Sequence, residues 1–342
     1  MKRQLKLTAA LLGALCIALT GCGGKDSKDT KSGAANWPNK QIKVIVPWSA
    51  GGGSDLAART LMPYLEKELG VKTTVVNTKG ANGWIAWKDL LQAPADGYTI
   101  AQMNIPTVYS GYMDPQQKRS EKMDSFIFLA NEISDYDCMV VNRKDTRFNS
   151  VKEFVEYAKN NEVLAGDNGV GTNKHLVAVN LNRSIPGLKL KYVHQTGWSD
   201  TYSALLGGHV DVGWGSVGDV MQAYKDKEVK VLCVFAPKRS KLLPDVPTFN
   251  EMMSGLNVIS PSDRGFALKA GTDKEIVKKW NEAMKKAISN PEFVKKMEAL
   301  GQEVNYMDTN EYTSYAKERE NAMKSFADIL GWNKLREKED GL

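Results

Sequence analysis

The chain has 342 residues, with 46 Lys and Arg against 40 Asp and Glu and a formal charge of +6. Lys2, Arg3 and Lys6 crowd at its start; without them the charge is +3, too small at this length to call for nucleic acid or an acidic surface as partner. No later segment is long and apolar enough to cross a bilayer.

In chain order, the basic start leads into an apolar stretch from Leu7 to Leu19, the pattern of a secretion signal. Leu19-Thr20-Gly21-Cys22 then sets small residues before a cysteine and resembles a lipobox, in which Cys22 is diacylated and becomes the mature N-terminus. The apolar stretch is short for a bilayer span, and Gly23 to Asn36 is a polar tether. Residues 1–21 are therefore expected to be a leader and 22–36 a lipidated cysteine with its tether. Cys22 would hold an exported body at the membrane, facing a periplasm or the cell exterior. The alternative is an ordinary signal, or a short membrane helix, followed by a coincidental cysteine.

Ile42 to Val46 is a β-branched run of strand type. It runs into Pro47-Trp48-Ser49-Ala50-Gly51-Gly52-Gly53-Ser54-Asp55, after which Leu56, Leu61, Leu65 and Leu69 recur at near-helical spacing up to Gly70, with Pro63 expected to kink or divide the helix. Glycines leave amide N–H groups uncovered, Ser54 or Asp55 is placed to cap the first turn, and the positive end of a helix dipole faces the same point. The stretch reads as an anion-binding loop, against the plainer reading of a tight turn. A P-loop is excluded because no Gly-Lys-Ser/Thr follows, and a dinucleotide fingerprint because the glycines are contiguous.

Strands are expected at Lys72 to Val76 and Tyr98 to Met103, with a helix from Gly83 to Leu91 between them. Ser150 and Glu153 form a capping box opening a helix to Asn160. Val163 to Gly166 is a strand, and Thr172 caps the next helix. Leu190 to Val193, Val210 to Gly213 and Val229 to Phe235 are further strands. Thr272 with Glu275 is read as a second capping box; Asn290 and Pro291 start another helix, and Thr309 begins the last. This alternation predicts an α/β protein with a largely parallel sheet in each half and ligands at the carboxyl ends of the strands.

Two more glycine turns share the strand-to-helix setting. One holds Gly80-Ala81-Asn82-Gly83-Trp84; the other holds Gly166-Asp167-Asn168-Gly169-Val170-Gly171-Thr172, with His175 one helical turn on. Three such turns in two halves suggest a cleft. The chain has three histidines, His175, His194 and His209, with no HxxxH or HExxH pair, and no Gly-x-Ser-x-Gly elbow. His175 is the one placed to face a cleft. Nothing calls for a metal, a cofactor or an enzyme, and a hydrolase is the weaker alternative. Cys138 and Cys233 lie in apolar runs and are expected to be buried free thiols, a disulfide being open to them if their strands are neighbours.

The motifs together resemble the extracytoplasmic solute-binding proteins of tripartite tricarboxylate transporters, the TctC or Bug family. The resemblance runs from Trp37-Pro38 through the loop at Pro47 to Asp55, the turn at Gly80 to Gly83 and Ala95-Asp96-Gly97-Tyr98-Thr99. It continues through Gly169 to Thr172 with His175, Leu205 to Asp211, Leu243 to Thr248 and Gly271-Thr272. It implies a two-domain type II periplasmic-binding-protein fold with the ligand cleft between domains, residues 37–137 plus 259–342 forming domain I and 138–258 domain II. It implies that a ligand carboxylate is held, partly through ordered waters, by Trp48, Ser49, Ala50, Gly51, Gly52, Gly53, Ser54 and Asp55 and by Ala81, Asn82, Gly83 and Trp84, with Asn104 nearby. Opposite would stand Asp167, Asn168, Gly169, Gly171, Thr172, His175, Trp214, Gly215 and Ser216. The implied partners are a small carboxylate or zwitterionic solute and one large and one small membrane subunit, the binding protein acting as a monomer. A sensor subunit serving a membrane receptor is the other reading.

The chain also departs from the family pattern. Asp167-Asn168 stands where two serines are common, Trp48 and Trp214 where phenylalanine is frequent, and an aromatic pair is missing near Ser262-Asp263-Arg264-Gly265. Asp167 is expected either to face water or to meet a cation on the ligand. Trp48, Trp84 and Trp214 are either core or aromatic faces for such a cation.

Overall fold

The computed structural model describes residues 32–334; the leader, Cys22 and most of the tether lie outside them. In chain order, α1 (Ser32–Ala35) precedes β1 (Ile42–Val46), α2 (Gly53–Leu69), β2 (Thr73–Asn77), α3 (Trp84–Gln92), β3 (Thr99–Ile105), α4 (Thr107–Met113) and β4 (Phe126–Ile133). Next come β5 (Asp137–Asn142), α5 (Val151–Asn160), β6 (Val163–Asp167), α6 (Asn173–Ser184), β7 (Leu190–His194), α7 (Trp198–Leu206), β8 (Val212–Ser216), α8 (Val217–Lys225), β9 (Val229–Val234) and α9 (Phe249–Met252). The chain then returns through β10 (Asp263–Lys269), α10 (Lys274–Ile288), α11 (Pro291–Ala299), β11 (Val304–Met307) and α12 (Thr309–Ile329).

Two sheets result, a six-stranded one in the order β11-β4-β10-β3-β1-β2 and a five-stranded one in the order β7-β6-β8-β5-β9. Parallel pairing holds where βα units repeat, between β1 and both β2 and β3, and between β6 and both β7 and β8. The expectation of largely parallel sheets needs correction at the strands nearest the crossings. There β10 runs antiparallel to β3 and β4, and β5 antiparallel to β8 and β9, because these strands enter their sheets from the other lobe rather than after a helix.

Each sheet is covered on both faces, and the two-residue strand period sorts its side chains. Val44 and Val46 enter one cluster with α2 and α10, while Ile45 enters the other with Trp84, Trp87 and α12. In the second lobe Met139 and Val141 face one side, Cys138 and Val140 the other. The same alternation settles the cysteines. β5 and β9 are neighbours, but Met139, not Cys138, lies opposite Cys233, so the two thiols point to opposite faces and remain free.

Local capping follows the sequence at α5, α6 and α11 and shifts at α10. Ser150, Thr172 and Asn290 cap as expected, but α10 is capped by Asp273, whose carboxylate accepts the Glu275 amide, while the Thr272 hydroxyl turns back to the Lys269 carbonyl. Helix α2 continues through Pro63 without a break.

The lobes are joined by residues 134–136 and 259–262. These segments pair as Tyr136 opposite Pro261, with Asp137 N–H donating to the Ser260 carbonyl at 3.0 Å and Ser262 N–H to the Asp135 carbonyl at 2.8 Å. No helix among the described residues is long and apolar enough to cross a membrane.

Candidate functional site

The loop after β1 is held from behind. Asp55 is not a helix cap: Gly52 is the N-cap and no side chain caps α2. Instead one Asp55 oxygen accepts the Gly51 amide at 3.0 Å, and the other accepts Arg59 Nε and Asn77 Nδ2 at 2.9 Å each. Gly51 has φ +80°, a conformation costly for other residues. Trp48 is half-buried and donates its indole N–H to Asn104 Oδ1 at 2.6 Å. The turn thus presents the positive end of α2 to the space between the lobes.

The second lobe meets that helix end with a carboxylate. Asp219 in the first turn of α8 accepts the Gly53 amide at 2.9 Å, and a Cβ on Gly53 would lie 2.8 Å from the same oxygen. Around Asp219 lies a buried set of charges. Lys174 Nζ is 3.4 Å from Asp219 and 3.1 Å from Asp137; the Arg264 guanidinium is 3.3 Å from Asp135, 3.9 Å from Asp219 and donates to Ser216 Oγ at 2.7 Å. Both cations are almost wholly buried. Burial opposes their charge, but Asp137 and Asp219 around Lys174, and Asp219 and Asp135 around Arg264, outweigh it and raise both above their ordinary values. Burial likewise pushes Asp135 and Asp137 up, whereas at Asp219 the same push is overcome by Lys174 and Arg264 and its carboxyl stays low. Arg264 Nε has no hydrogen-bond partner among the described residues, so this buried guanidinium retains a free donor.

Gly53, Lys174, Asp219 and Arg264 line a cavity of about 20 Å³ between the lobes, together with Trp48, Ser49, Gly52, Ser54, Asn104, Asn168, Asn173, Trp198, Ser199 and Ser262. That is room for little more than a water molecule. Further contacts draw the lobes together: Asn82 Nδ2 donates to the Val170 carbonyl at 2.6 Å and Lys225 Nζ to the Ala299 carbonyl at 2.9 Å.

Of the residues read from sequence, Trp48, Ser49, Gly52, Gly53, Ser54, Asn104 and Asn168 line this cavity. Ala50 and Gly51 shape the loop at its exposed edge, and Asp55 braces it. Asn82, with φ +54°, bridges to the other lobe beside Ala81 and Gly83, which also have positive φ. Thr172 caps α6, and Gly169 has room only for hydrogen, since a Cβ there would meet Asn82 at 2.2 Å. Ser216 caps α8 and receives Arg264. Gly215 is covered by Trp198 and Val220.

Two expectations change, at Asp167 and His175, and the open choice at Trp84 and Trp214 falls to core. Trp84 and Trp214 are core: Trp84 donates to the Val108 carbonyl beneath α4, and Trp214 lies in the second lobe's cluster, so neither offers a face to a solute. Asp167 lies off the cavity, its carboxylate 2.7 Å from both His194 Nδ1 and the Gly169 amide. His175 is buried, and its Nδ1 accepts the Gly171 amide at 3.1 Å. Sequence reasoning missed Asn173, Lys174, Trp198, Ser199, Asp219, Ser262 and Arg264. The one signal for any of them was the missing aromatic pair at Asp263-Arg264.

Two α/β lobes, two paired crossing segments and a polar cleft lined from both sides define the class of bilobal periplasmic binding proteins. Residues 57–331 match TctC, described as the tripartite tricarboxylate transporter family receptor, and the chain belongs to this family of periplasmic solute-binding proteins. A relative from Cupriavidus necator, named UPF0065 protein in gbd 5'region, is 28% identical over 98% of this chain and 100% of its own. The solved periplasmic binding protein BugD is similar with a TM-score of 0.76 and 25% identity, covering 89% of this chain and 99% of that one. MatC from Rhodopseudomonas palustris with bound malate shares the fold at TM-score 0.78 and 21% identity, over 85% of this chain and 100% of its own.

Proposed function

We propose that the protein captures a small carboxylate-bearing solute between its two lobes and delivers it to the large and small membrane subunits of a tripartite transporter. The observation that carries this is the start of α2, which no side chain of its own lobe caps, with the buried Arg264 guanidinium beside it, both lining the cleft that Asp219 closes from the other lobe. Amides at a helix start and a guanidinium both favour a carboxylate, and in the closed cleft the Asp219 carboxylate takes that place, 2.9 Å from the Gly53 amide and 3.9 Å from Arg264. Residues 37–133 with 263–342 move as one body and 137–258 as the other, the crossing segments acting as hinge. A solute enters with the lobes apart, since the closed cavity is too small to admit it.

A thermal-shift screen of mono-, di- and tricarboxylic acids and amino acids tests this. A solute at a hundred times its dissociation constant adds about 2.7 kcal/mol to stability, and Arg264→Gln should abolish the shift. A screen in which no acid moves the midpoint would refute it. Two acyl chains on Cys22 hold the body at the membrane in this reading, one chain being marginal. Cys22→Ala should then release it or stall its processing, and unchanged membrane association would contradict that anchor.

A further inference from the structure

Beside the solute cleft, but not lining its cavity, Asp167, His175 and His194 bring a carboxylate oxygen and two ring nitrogens within 4.8 Å of one another. Three elements contribute. Asp167 ends β6 and His194 ends β7, directly paired in the parallel register, so their side chains leave the same face of the sheet. His175 comes from the first turn of α6, and its ring stands nearly perpendicular to that of His194 with centroids 5.3 Å apart. Asp167 is wholly buried, and while one oxygen is engaged by His194 and Gly169, the other has no hydrogen-bond partner. A buried carboxylate oxygen left unsatisfied is costly, and it lies within the cluster that two imidazoles complete.

We propose that Asp167, His175 and His194 form a binding site for a divalent transition metal of the Zn²⁺ class. Two nitrogens and one carboxylate suit Zn²⁺, Co²⁺ or Ni²⁺, whereas Ca²⁺ and Mg²⁺ require mostly oxygen ligands. The ion replaces the hydrogen bond between His194 and Asp167 and gives the unpartnered oxygen a ligand role. His194 is the half-exposed member of the cluster, its side chain 39% accessible, so the ion enters on its side and keeps an open position for water. Coordination through His175 Nε2 puts the ring proton on Nδ1, so the Gly171 amide has to turn away from it. The metal-bound form therefore differs in the turn at residues 169–171, whose Val170 carbonyl accepts from Asn82 across the cleft.

The test uses the untagged full chain, stripped with a chelator and titrated with Co²⁺ as spectroscopic probe and Zn²⁺ as competitor. Expected are one equivalent of Co²⁺ with visible ligand-field bands, displacement by Zn²⁺, and affinity weakened about tenfold or more in both His194→Ala and Asp167→Asn. His209→Ala and Cys138→Ser, changed outside the cluster, should bind as the parent does. Absence of ligand-field bands, or equal affinity in His194→Ala and Asp167→Asn at parental melting temperature, would overturn the site.

Discussion

Glu132→Gln replaces a wholly buried carboxyl in β4. Burial is the main cause that lifts its pKa to about 8, with the Arg264 charge and a hydrogen bond from the Gln102 side chain pulling the other way. The folded protein thus keeps a proton there that the unfolded chain releases near 4.5. The native state binds more protons, so the stability this group contributes is whole below pH 4.5 and is lost as pH climbs to about 8. The loss amounts to about 1 kcal/mol at pH 5, about 3 at pH 7 and about 4 at pH 8. Glutamine cannot ionise, and any packing cost it adds is independent of pH. Urea unfolding of both forms at pH 5 and pH 8 should show the variant gaining about 3 to 4 kcal/mol relative to the parent between the two. A stability difference that does not move with pH would refute the neutral buried carboxyl.

Gly171→Ala should weaken both closure and solute binding, because φ is +78° and a Cβ there would lie 2.6 Å from Ser110 and 3.0 Å from Trp332 of the other lobe; calorimetry with the screened acid should show a loss of about 1 to 3 kcal/mol. Cys138 and Cys233 should stay reduced under oxidising conditions, since they lie on opposite faces of their sheet. Thiol counting after denaturation in the presence of alkylating reagent checks this, and a recovered disulfide would contradict the register.

Much of the first lobe was legible because its signals are local. The β-branched run of β1, the contiguous glycines and the apolar spacing of α2 each imply their neighbour, and the loop between them did fall at the cleft. Thr172, Asn290 and Ser150 were readable as caps for the same reason. Adjacent candidates were harder to separate: Thr272 and Asp273 are both good caps, and only the turn back to Lys269 decides between them.

The charged half of the site was hidden by a nonlocal cause. Lys174 and Asp219 sit in the first turns of amphipathic helices, where charge normally means solvent. They are buried because the opposite lobe closes over them and because their partners, Asp137 and Arg264, come from the crossing strands, far away in sequence. Strand β10 was missed because Asp263 and Arg264 break the apolar pattern at its start. For Trp84 and Trp214, adjacent to glycine turns, the sequence left core and cleft face equally open, and each lies beneath a helix or inside a sheet face.

The most direct measurement is small-angle scattering of the protein without solute and saturated with the acid giving the largest thermal shift. Capture between lobes hinged at residues 134–136 and 259–262 predicts a smaller radius of gyration with solute, because a ligand touching both lobes adds to the contacts that favour the closed form. Superimposable profiles at saturation would contradict closure on the solute.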